Sequence, residues 1–256
     1  MKNSNSAFFY NSTQALPRLE NDLMPYHIEG KTALAIFKIK DLQLVPENLT
    51  GHLSNNEKER MLRFRKVEDR SRFVYAHNLK RLLLASVLNL SPADLQFDFT
   101  PNNKPLLLNA KLHFNLSHSH DTVCVAINSH QEVGIDVEQV RESFDFTDFI
   151  QKNYHVDEIE IIEQEKAPFS IEQFFKFWSR KESLLKATGL GVFSGLNLLN
   201  MTDGIKQFHA DKITGTLYHI NSMRLWSCWL SVCHPTNTPI HYLDANVWLE
   251  KELSKL

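Results

Sequence analysis

Two short segments of the sequence combine carboxylates with lysines at spacings that place them on common faces. Residues 134–138 read Gly-Ile-Asp-Val-Glu, and residues 178–186 read Trp-Ser-Arg-Lys-Glu-Ser-Leu-Leu-Lys. The first segment lies in an apolar strand pattern, and side chains two residues apart on a strand point to the same face. Asp136 and Glu138 can therefore reach one cation.

The second segment lies in a helix pattern from Ile171 to Ala187, with Gly189 as the expected stop signal. On such a helix Glu182 and Lys186 stand one turn apart on the same side. A hard divalent ion such as Mg²⁺ prefers a few carboxylate oxygens together with substrate phosphates over a cage made only of protein. The two segments therefore predict magnesium and phosphate chemistry, with Lys186 holding a phosphate that the metal also contacts.

The composition is that of a folded protein with near-neutral overall charge. The chain has 256 residues and 43% hydrophobic content, which is enough for a substantial core in one large domain or two ordinary ones. The formal net charge of −2 argues against a nucleic-acid binder and against a polybasic membrane anchor. We therefore expect neither nucleic acid nor membrane as a partner.

One segment is locally basic. Residues 57–81 contain nine Lys or Arg residues against four acids. This segment could face an anionic ligand, or it could be a solvated helix face with ion pairs at four-residue spacing.

The three cysteines, Cys124, Cys228 and Cys233, have no spacing typical of a disulfide framework. The N-terminus lacks the apolar core of a signal peptide, and no apolar run is long enough to span a membrane. We expect a reduced, cytoplasmic protein. A zinc site at Cys228, Cys233 and His234 is disfavoured, because these residues lie in or beside an alternating strand pattern and a second ligand pair is missing.

The remaining pattern predicts an α+β fold, since strands are interleaved with one or two helices in each half of the chain. Helices are predicted over Asn55–Phe64, Asp69–Leu88, Asp157–Glu165 and Ile171–Ala187. Strands are predicted over Leu34–Lys40, Leu95–Phe99, Leu112–Leu116, Thr122–Ile127, Val133–Val137, Leu196–Leu199, Thr216–Ile220, Met223–Val232 and Asn246–Leu249.

Four motifs in order resemble those of the Sfp-type 4′-phosphopantetheinyl transferases, enzymes that load carrier proteins with the arm of coenzyme A. Residues 103–105 are similar to the Gly-Lys/Arg-Pro element, and residues 114–119 to the Phe-Asn-x-Ser-His-Ser element. Residues 134–138 match Gly-x-Asp-Ile/Val-Glu, and residues 178–186 match Trp-x-x-Lys-Glu-x-x-x-Lys. The resemblance reaches back to residues 57–81 and is weak before about residue 30 and after about residue 200.

This resemblance implies a particular architecture. Two similar α/β halves would be related by a pseudo-twofold axis, with coenzyme A and Mg²⁺ in the cleft between them. The join would lie near residues 128–132, so that residues 1–130 form the half that contacts the nucleotide. Residues 131–256 would then form the half that holds the metal-binding and catalytic motifs. Because both halves lie in one chain, a monomer is expected.

The resemblance also implies the reaction and the roles of the acidic motifs. A serine of an apo acyl or peptidyl carrier protein would attack the β-phosphorus of coenzyme A, releasing 3′,5′-adenosine bisphosphate. Asp136, Glu138 and Glu182 would bind Mg²⁺, and Glu182 would also act as the general base. Lys186 would pair with a phosphate oxygen and assist the leaving group. Lys181 would be a further cofactor contact or simply a lysine on the helix surface.

The nucleotide end is implied by the other motifs. Lys104 would lie against the adenosine part of coenzyme A, although Asn103 replaces the usual glycine of that turn. Ser117 and His118 would contact phosphate, with His118 donating to the 3′-phosphate. Arg72 would also bind the 3′-phosphate, and Arg60 would lie nearby or on a solvated helix face. The full expected cofactor-binding set is Arg60, Arg72, Lys104, Ser117, His118, Asp136, Lys181 and Lys186.

Two other classes of function also use some of these residue types. A Mg²⁺-dependent nuclease with an Asp…Glu-x-Lys site is disfavoured, because Gln139 and Val140 follow Glu138 where that site has its lysine. A non-catalytic relative that only binds carrier proteins would be expected to lose a carboxylate or Lys186, and none is lost. The sequence does not identify the carrier protein, which could serve fatty acid, polyketide or nonribosomal peptide synthesis.

Overall fold

The computed structural model describes residues 30–42, 50–191, 195–202, 208–209, 217–235 and 239–253. Within these residues it is an α+β structure. The strands are β1 (Thr32–Lys38), β2 (Phe97–Phe99), β3 (Pro105–Leu107), β4 (His113–Ser119), β5 (Thr122–Asn128), β6 (Gly134–Gln139), β7 (Phe208–His209), β8 (Leu217–Leu225), β9 (Cys228–Pro235) and β10 (Ile240–Asp244). The helices are α1 (Asn55–Leu62), α2 (Val67–Leu88), α3 (Thr147–Asn153), α4 (Val156–Gln164), α5 (Phe169–Thr188) and α6 (Ala245–Leu253).

The first sheet has the strand order β10-β1-β5-β4. Strands β1 and β10 pair in parallel, and the other pairs are antiparallel. Alternate residues of β1 and β5 divide between two cores. Ala35 and Val125 face a core that includes Leu79 and Leu83 of α2, whereas Leu34 and Ala126 face the second sheet. Because both faces are covered, β1 and β5 are apolar at nearly every position.

The second sheet has the order β6-β9-β8-β7 and is antiparallel throughout. Ile135 and Val137 of β6 face the first sheet, together with Leu230 and Val232 of β9. The long helix α5 contributes Phe174, Phe175, Phe177 and Leu184 to a separate core that also holds residues of β8 and β9. Asp136 and Glu138 therefore project from the face of β6 opposite the first sheet, as the strand period predicts.

Two strand predictions were wrong, and a third is confirmed only as two separate strands. Residues Leu196–Leu198 form a short 3₁₀ helix, and Met223–Val232 is interrupted by a hairpin turn in which Trp226 has φ +51°. The segment Asn246–Leu249 lies in α6, where Trp248 and Leu249 pack on the first sheet. Short apolar runs do not distinguish a buried helix from a strand. Residue Thr216 of another predicted strand lies outside the described residues.

The end of the described chain returns to the first sheet. Strand β10 pairs with β1, and Asn246 at the start of α6 exchanges two hydrogen bonds of 3.0 and 3.1 Å with the backbone of Lys38. Sheet membership thus does not follow chain order at this point, and the division at residue 130 remains a prediction. Among the described helices, none combines the length and apolarity that crossing a membrane requires.

Candidate active site

A glycine brings β6 into close contact with α5. A Cβ atom on Gly134 would lie 2.0 Å from the carbonyl oxygen of Ser183 and 2.4 Å from the amide nitrogen of Ala187. Because both atoms are backbone, only glycine permits this approach. The contact aligns the acidic face of β6 with the side of α5 that carries Glu182 and Lys186.

Asp136 is the centre of the resulting cluster. The ammonium of Lys186 lies 2.7 Å from Asp136 Oδ1, and the Ser117 hydroxyl donates to the same oxygen at 3.0 Å. Asp136 is 3% exposed, and its Oδ2 atom is buried without a hydrogen-bond partner among the described residues. A buried carboxylate oxygen normally has a partner, so this atom is available to a ligand.

Two further carboxylates interact with this cluster. The Trp178 indole donates to Glu138 Oε1 at 3.2 Å. Burial, and then the charge of Asp136, raises the pKa of Glu138 to about 7. The same two causes raise the pKa of Glu182. Burial lowers the pKa of Lys186, but Asp136, Glu182 and Glu138 outweigh it and raise that pKa overall. The cluster thus holds more negative charge than one ammonium can offset.

The donor chemistry of Asp136, Glu138 and Glu182 fits Mg²⁺, which takes carboxylate oxygens. The uncompensated charge and the free Asp136 oxygen support the same ion. Over the described ranges, no three ligating side chains already converge in the geometry of a metal site. The residues therefore fit the ion through charge and donor type, without a preformed cage.

A group of cations lies beside the acidic cluster, around the side chain of His118 on β4. Burial, followed by the charges of Arg72, Lys186 and Arg60, lowers the pKa of His118 to about 4. Arg72 is fixed there by donating to the carbonyl oxygen of His120 at 2.9 Å and pairing with Asp69 at 2.8 Å. The predicted residues Arg60, Arg72, His118 and Lys186 thus share one basic environment, which suits an anionic ligand.

The motif at residues 114–119 has a structural role that the sequence interpretation missed. Its alternate polar side chains accept hydrogen bonds from the backbone of β6 and so join the edges of the two sheets. The pairs are Asn115 Oδ1 with Ile135 N at 3.0 Å, Ser117 Oγ with Val137 N at 3.2 Å, and Ser119 Oγ with Gln139 N at 3.0 Å. The period-two polar pattern was the available signal.

Ser117 consequently has more hydrogen-bond partners within the protein than a phosphate ligand on the surface would have. It is buried, and its hydroxyl interacts with Val137, Asp136 and Lys186, the last at 3.2 Å. Its position orients the carboxylate and the ammonium of the acidic cluster.

The structure does not bring Lys181 to the site. Its side chain is fully buried and pairs with Glu158 at 2.9 Å, and it also donates to the carbonyl oxygens of Leu196 and Leu199. One residue along a helix turns the side chain by about 100°, away from the face of Glu182. The alternative of a lysine on the helix surface is wrong, because the side chain is buried and a buried ammonium requires such partners. A contact with coenzyme A stays a prediction that these partners do not support.

Lys104 is also occupied. Its ammonium is hydrogen-bonded to Glu132 and donates to the carbonyl oxygen of Ala187 at 2.9 Å, and its side chain is 8% exposed. The nearby Asn103 has φ +61°, so asparagine supplies the left-handed conformation for which glycine is usual. The lysine faces the end of α5 in this structure.

Comparison with known proteins gives matches along most of the chain. A model of the 4′-phosphopantetheinyl transferase superfamily matches residues 132–240, and a model of the 4′-phosphopantetheinyl transferase N-terminal region matches residues 47–130.

Individual relatives agree with these models. The 4′-phosphopantetheinyl transferase HetI of Nostoc sp. is 32% identical over 57% of this chain and 63% of the relative. The 4′-phosphopantetheinyl transferase gsp of Aneurinibacillus migulanus is 30% identical over 58% of this chain and 61% of the relative. A putative 4′-phosphopantetheinyl transferase of Synechocystis sp. is 26% identical over 84% of this chain and 87% of the relative. The chain thus spans somewhat less than two thirds of the first two relatives.

Proposed function

Because the chain belongs to the 4′-phosphopantetheinyl transferase superfamily, we propose that it transfers the 4′-phosphopantetheine arm of coenzyme A to a serine of an apo carrier protein. The acceptor is an acyl or peptidyl carrier protein, and 3′,5′-adenosine bisphosphate is released. The observation that carries the proposal is the meeting of Asp136, Glu138, Glu182 and Lys186 beside the basic environment of His118.

The basic environment receives the 3′-phosphate of coenzyme A. In the free protein, His118 is neutral near pH 7, because burial and then the neighbouring cations lower its pKa to about 4. A phosphate dianion offsets the charges of Arg72 and Arg60 and so raises the imidazole pKa. His118 can then donate a charge-assisted hydrogen bond to the ligand.

The acidic cluster receives the diphosphate. Asp136, Glu138 and Glu182 would hold Mg²⁺, which when bound neutralises charge on the diphosphate and polarises it. Lys186 pairs with a phosphate oxygen and stabilises the leaving adenosine bisphosphate. In phosphoryl transfer most of the catalytic effect comes from positioning and charge stabilisation, and this cluster supplies both.

Glu182 accepts the proton of the attacking serine, directly or through one water molecule. The serine oxygen forms a bond to the β-phosphorus as the bond from that phosphorus to the oxygen of adenosine bisphosphate breaks. Without bound metal, burial and then the charge of Asp136 raise the pKa of Glu182.

We further propose that the protein works as a cytoplasmic monomer whose two halves are related by a pseudo-twofold axis. Its three cysteines are all free and buried, which suits a reducing compartment. Nucleic acids and membranes have no part in the proposed reaction.

Mass spectrometry of apo carrier proteins tests the proposal. Carriers from fatty acid, polyketide and nonribosomal peptide synthesis are incubated with the protein, coenzyme A and Mg²⁺. A phosphopantetheine adduct on the carrier serine is expected, and it should disappear with chelator or with Lys186→Met. Carrier binding without an adduct would indicate the non-catalytic alternative, and Mg²⁺-dependent cleavage of DNA would indicate a nuclease.

A further inference from the structure

The turn between β2 and β3 holds the C-terminal end of α5. Asn102 Nδ2 donates to the carbonyl oxygen of Gly189 at 2.8 Å, and Lys104 Nζ donates to that of Ala187 at 2.9 Å. Helix α5 ends at Gly189, which has φ +68°. The last carbonyl groups of a helix have no donor within the helix, so these two side chains satisfy groups that would otherwise need other partners.

The Lys104 side chain is itself held in place by Glu132, which is held in turn by His113. Glu132, in the link before β6, binds the Lys104 ammonium with one oxygen and His113 Nδ1 with the other, at 3.0 Å. Burial raises the pKa of Glu132, but His113 and Lys104 outweigh it and lower that pKa to about 2, so the carboxylate stays charged. We call Asn102, Lys104, Glu132 and His113 the clasp.

The turn that carries Asn102 and Lys104 of the clasp is internally constrained. Thr100 N donates to Lys104 O at 2.9 Å, Asn103 N donates to Thr100 O at 2.8 Å, and Lys104 N donates to the Thr100 hydroxyl at 3.0 Å. Such a turn has few conformations available, so its side chains present fixed donors to the helix end.

The helix turn that the clasp holds carries active groups. Lys186 directly precedes the Ala187 carbonyl that Lys104 binds, and Glu182 lies one turn earlier. Helix ends tend to fray, whereas catalytic groups must keep their positions closely. The clasp adds contacts where fraying would displace Lys186 from Asp136.

We propose that Asn102, Lys104 and Glu132 are positioning residues, which fix the last turn of α5 so that Lys186 and Glu182 stay aligned with Asp136 and Glu138. The consequence for turnover rests on the transferase function proposed above. Lys104 then serves the reaction through the helix, with its ammonium directed at a backbone carbonyl and Glu132.

Hydrogen exchange and single-turnover kinetics on the full chain test the clasp. The variants are Asn102→Ala and Glu132→Gln, with Asn56→Ala and Glu142→Gln as matched controls at exposed positions. Amide exchange is expected to become faster in the last turn of α5 for the first pair only. Transfer should fall about tenfold to a hundredfold while the Kd of coenzyme A changes by less than about twofold, because a small misplacement of reacting groups slows chemistry more than binding. Glu132→Asp should recover most of the lost rate.

Three results would contradict the proposed positioning role of the clasp. The first is unchanged exchange in α5 for both variants. The second is a weaker coenzyme A Kd at full turnover rate, which would make this region a nucleotide contact. The third is faster exchange spread over the whole chain, which would reduce these residues to general stability. Failure of the wild-type protein to modify any carrier would instead contradict the transferase function, and the exchange measurement would still test the clasp.

Discussion

The cluster around Glu57 and the cluster around Asp136 use the same kinds of side chain with opposite charge balance. Glu57 is one carboxylate bonded to His77 at 2.9 Å, Lys80 at 3.0 Å and Arg81 at 2.7 Å. Around Asp136, by contrast, three carboxylates surround the ammonium of Lys186. The first cluster joins α1 to α2, and the second is the candidate active site.

The pKa shifts express this difference. Burial raises the pKa of Glu57, but its hydrogen bond from His77 and the charge of Lys80 outweigh burial and hold that pKa far below the ordinary range. At Glu138 and Glu182 burial and a neighbouring carboxylate act together, and both pKa values rise. One buried carboxylate bonded only to cationic or hydrogen-bonding partners stays charged and joins two helices, which is a structural role. Several carboxylates around one ammonium leave an excess of negative charge, which indicates a place for a cation.

From the comparison of the two clusters, we expect the largest loss of transfer rate on substitution of Glu182. Glu182→Gln removes both the proton acceptor and one charge of the acidic cluster, so transfer should slow by about 10²–10⁴, or roughly 3–5 kcal/mol in the activation barrier. Coenzyme A affinity should change little, because its basic contacts remain. Single-turnover transfer across a Mg²⁺ series, with affinity measured separately, checks this.

The matched variant is Asp136→Asn, which loses a metal ligand and no proton acceptor. Raised Mg²⁺ should restore part of its activity and none of that of Glu182→Gln. Recovery of Glu182→Gln at high Mg²⁺ would reduce Glu182 to a metal ligand, and turnover near the wild-type rate would remove the base assignment.

At the Glu57 cluster, Glu57→Gln should lower the free energy of unfolding by about 3 kcal/mol, because it leaves buried Lys80 and Arg81 without their carboxylate. Urea unfolding measures this loss. The Kd of coenzyme A for the folded variant should stay near that of the wild-type protein. A large loss of affinity with unchanged stability would show that Glu57 belongs to the ligand site and would break the comparison.

The basic environment gives a prediction about one phosphate group. Arg72→Ala and His118→Ala should each weaken coenzyme A relative to dephospho-coenzyme A by about 1.5–3 kcal/mol, the range for a charged hydrogen bond. Calorimetric titration of both ligands measures the difference. Because Arg72 also binds the His120 carbonyl, its variant should lose some stability, whereas His118→Ala should lose little. Equal losses for the two ligands would assign these residues another partner.

The smallest expected effect concerns pH. The pKa of Glu138 is raised to about 7 in the folded protein, so the folded protein binds this proton more tightly than the unfolded chain does. Its contribution to stability should therefore be lost as pH rises from about 5 to 7, and by pH 8 the cost is on the order of 1–2 kcal/mol.

Glu138→Gln should remove that part of the pH dependence, and Mg²⁺ should offset it in the wild-type protein. Unfolding curves for both proteins at several pH values, with and without Mg²⁺, isolate Glu138 from other titrating groups by difference. Identical pH profiles for the two proteins would contradict the raised pKa.

The local relations within the site could be predicted from the sequence. The period of a strand places Asp136 and Glu138 on one face, and the period of a helix places Glu182 and Lys186 on one side. The end of α5 at Gly189 was readable because glycine adopts the left-handed conformation there. These features depend only on residues within a few positions of each other.

The tertiary structure decides which residues pack against those faces. Lys181 and Lys104 are lysines of recognised motifs, yet one is buried against Glu158 and the other is held by Glu132 and the end of α5. The partners come from segments remote in sequence, and the pairing of β10 with β1 is equally distant. Periodicity fixes which side chains share a face, but burial and charge balance arise from the surfaces that pack against that face, and no local pattern encodes them.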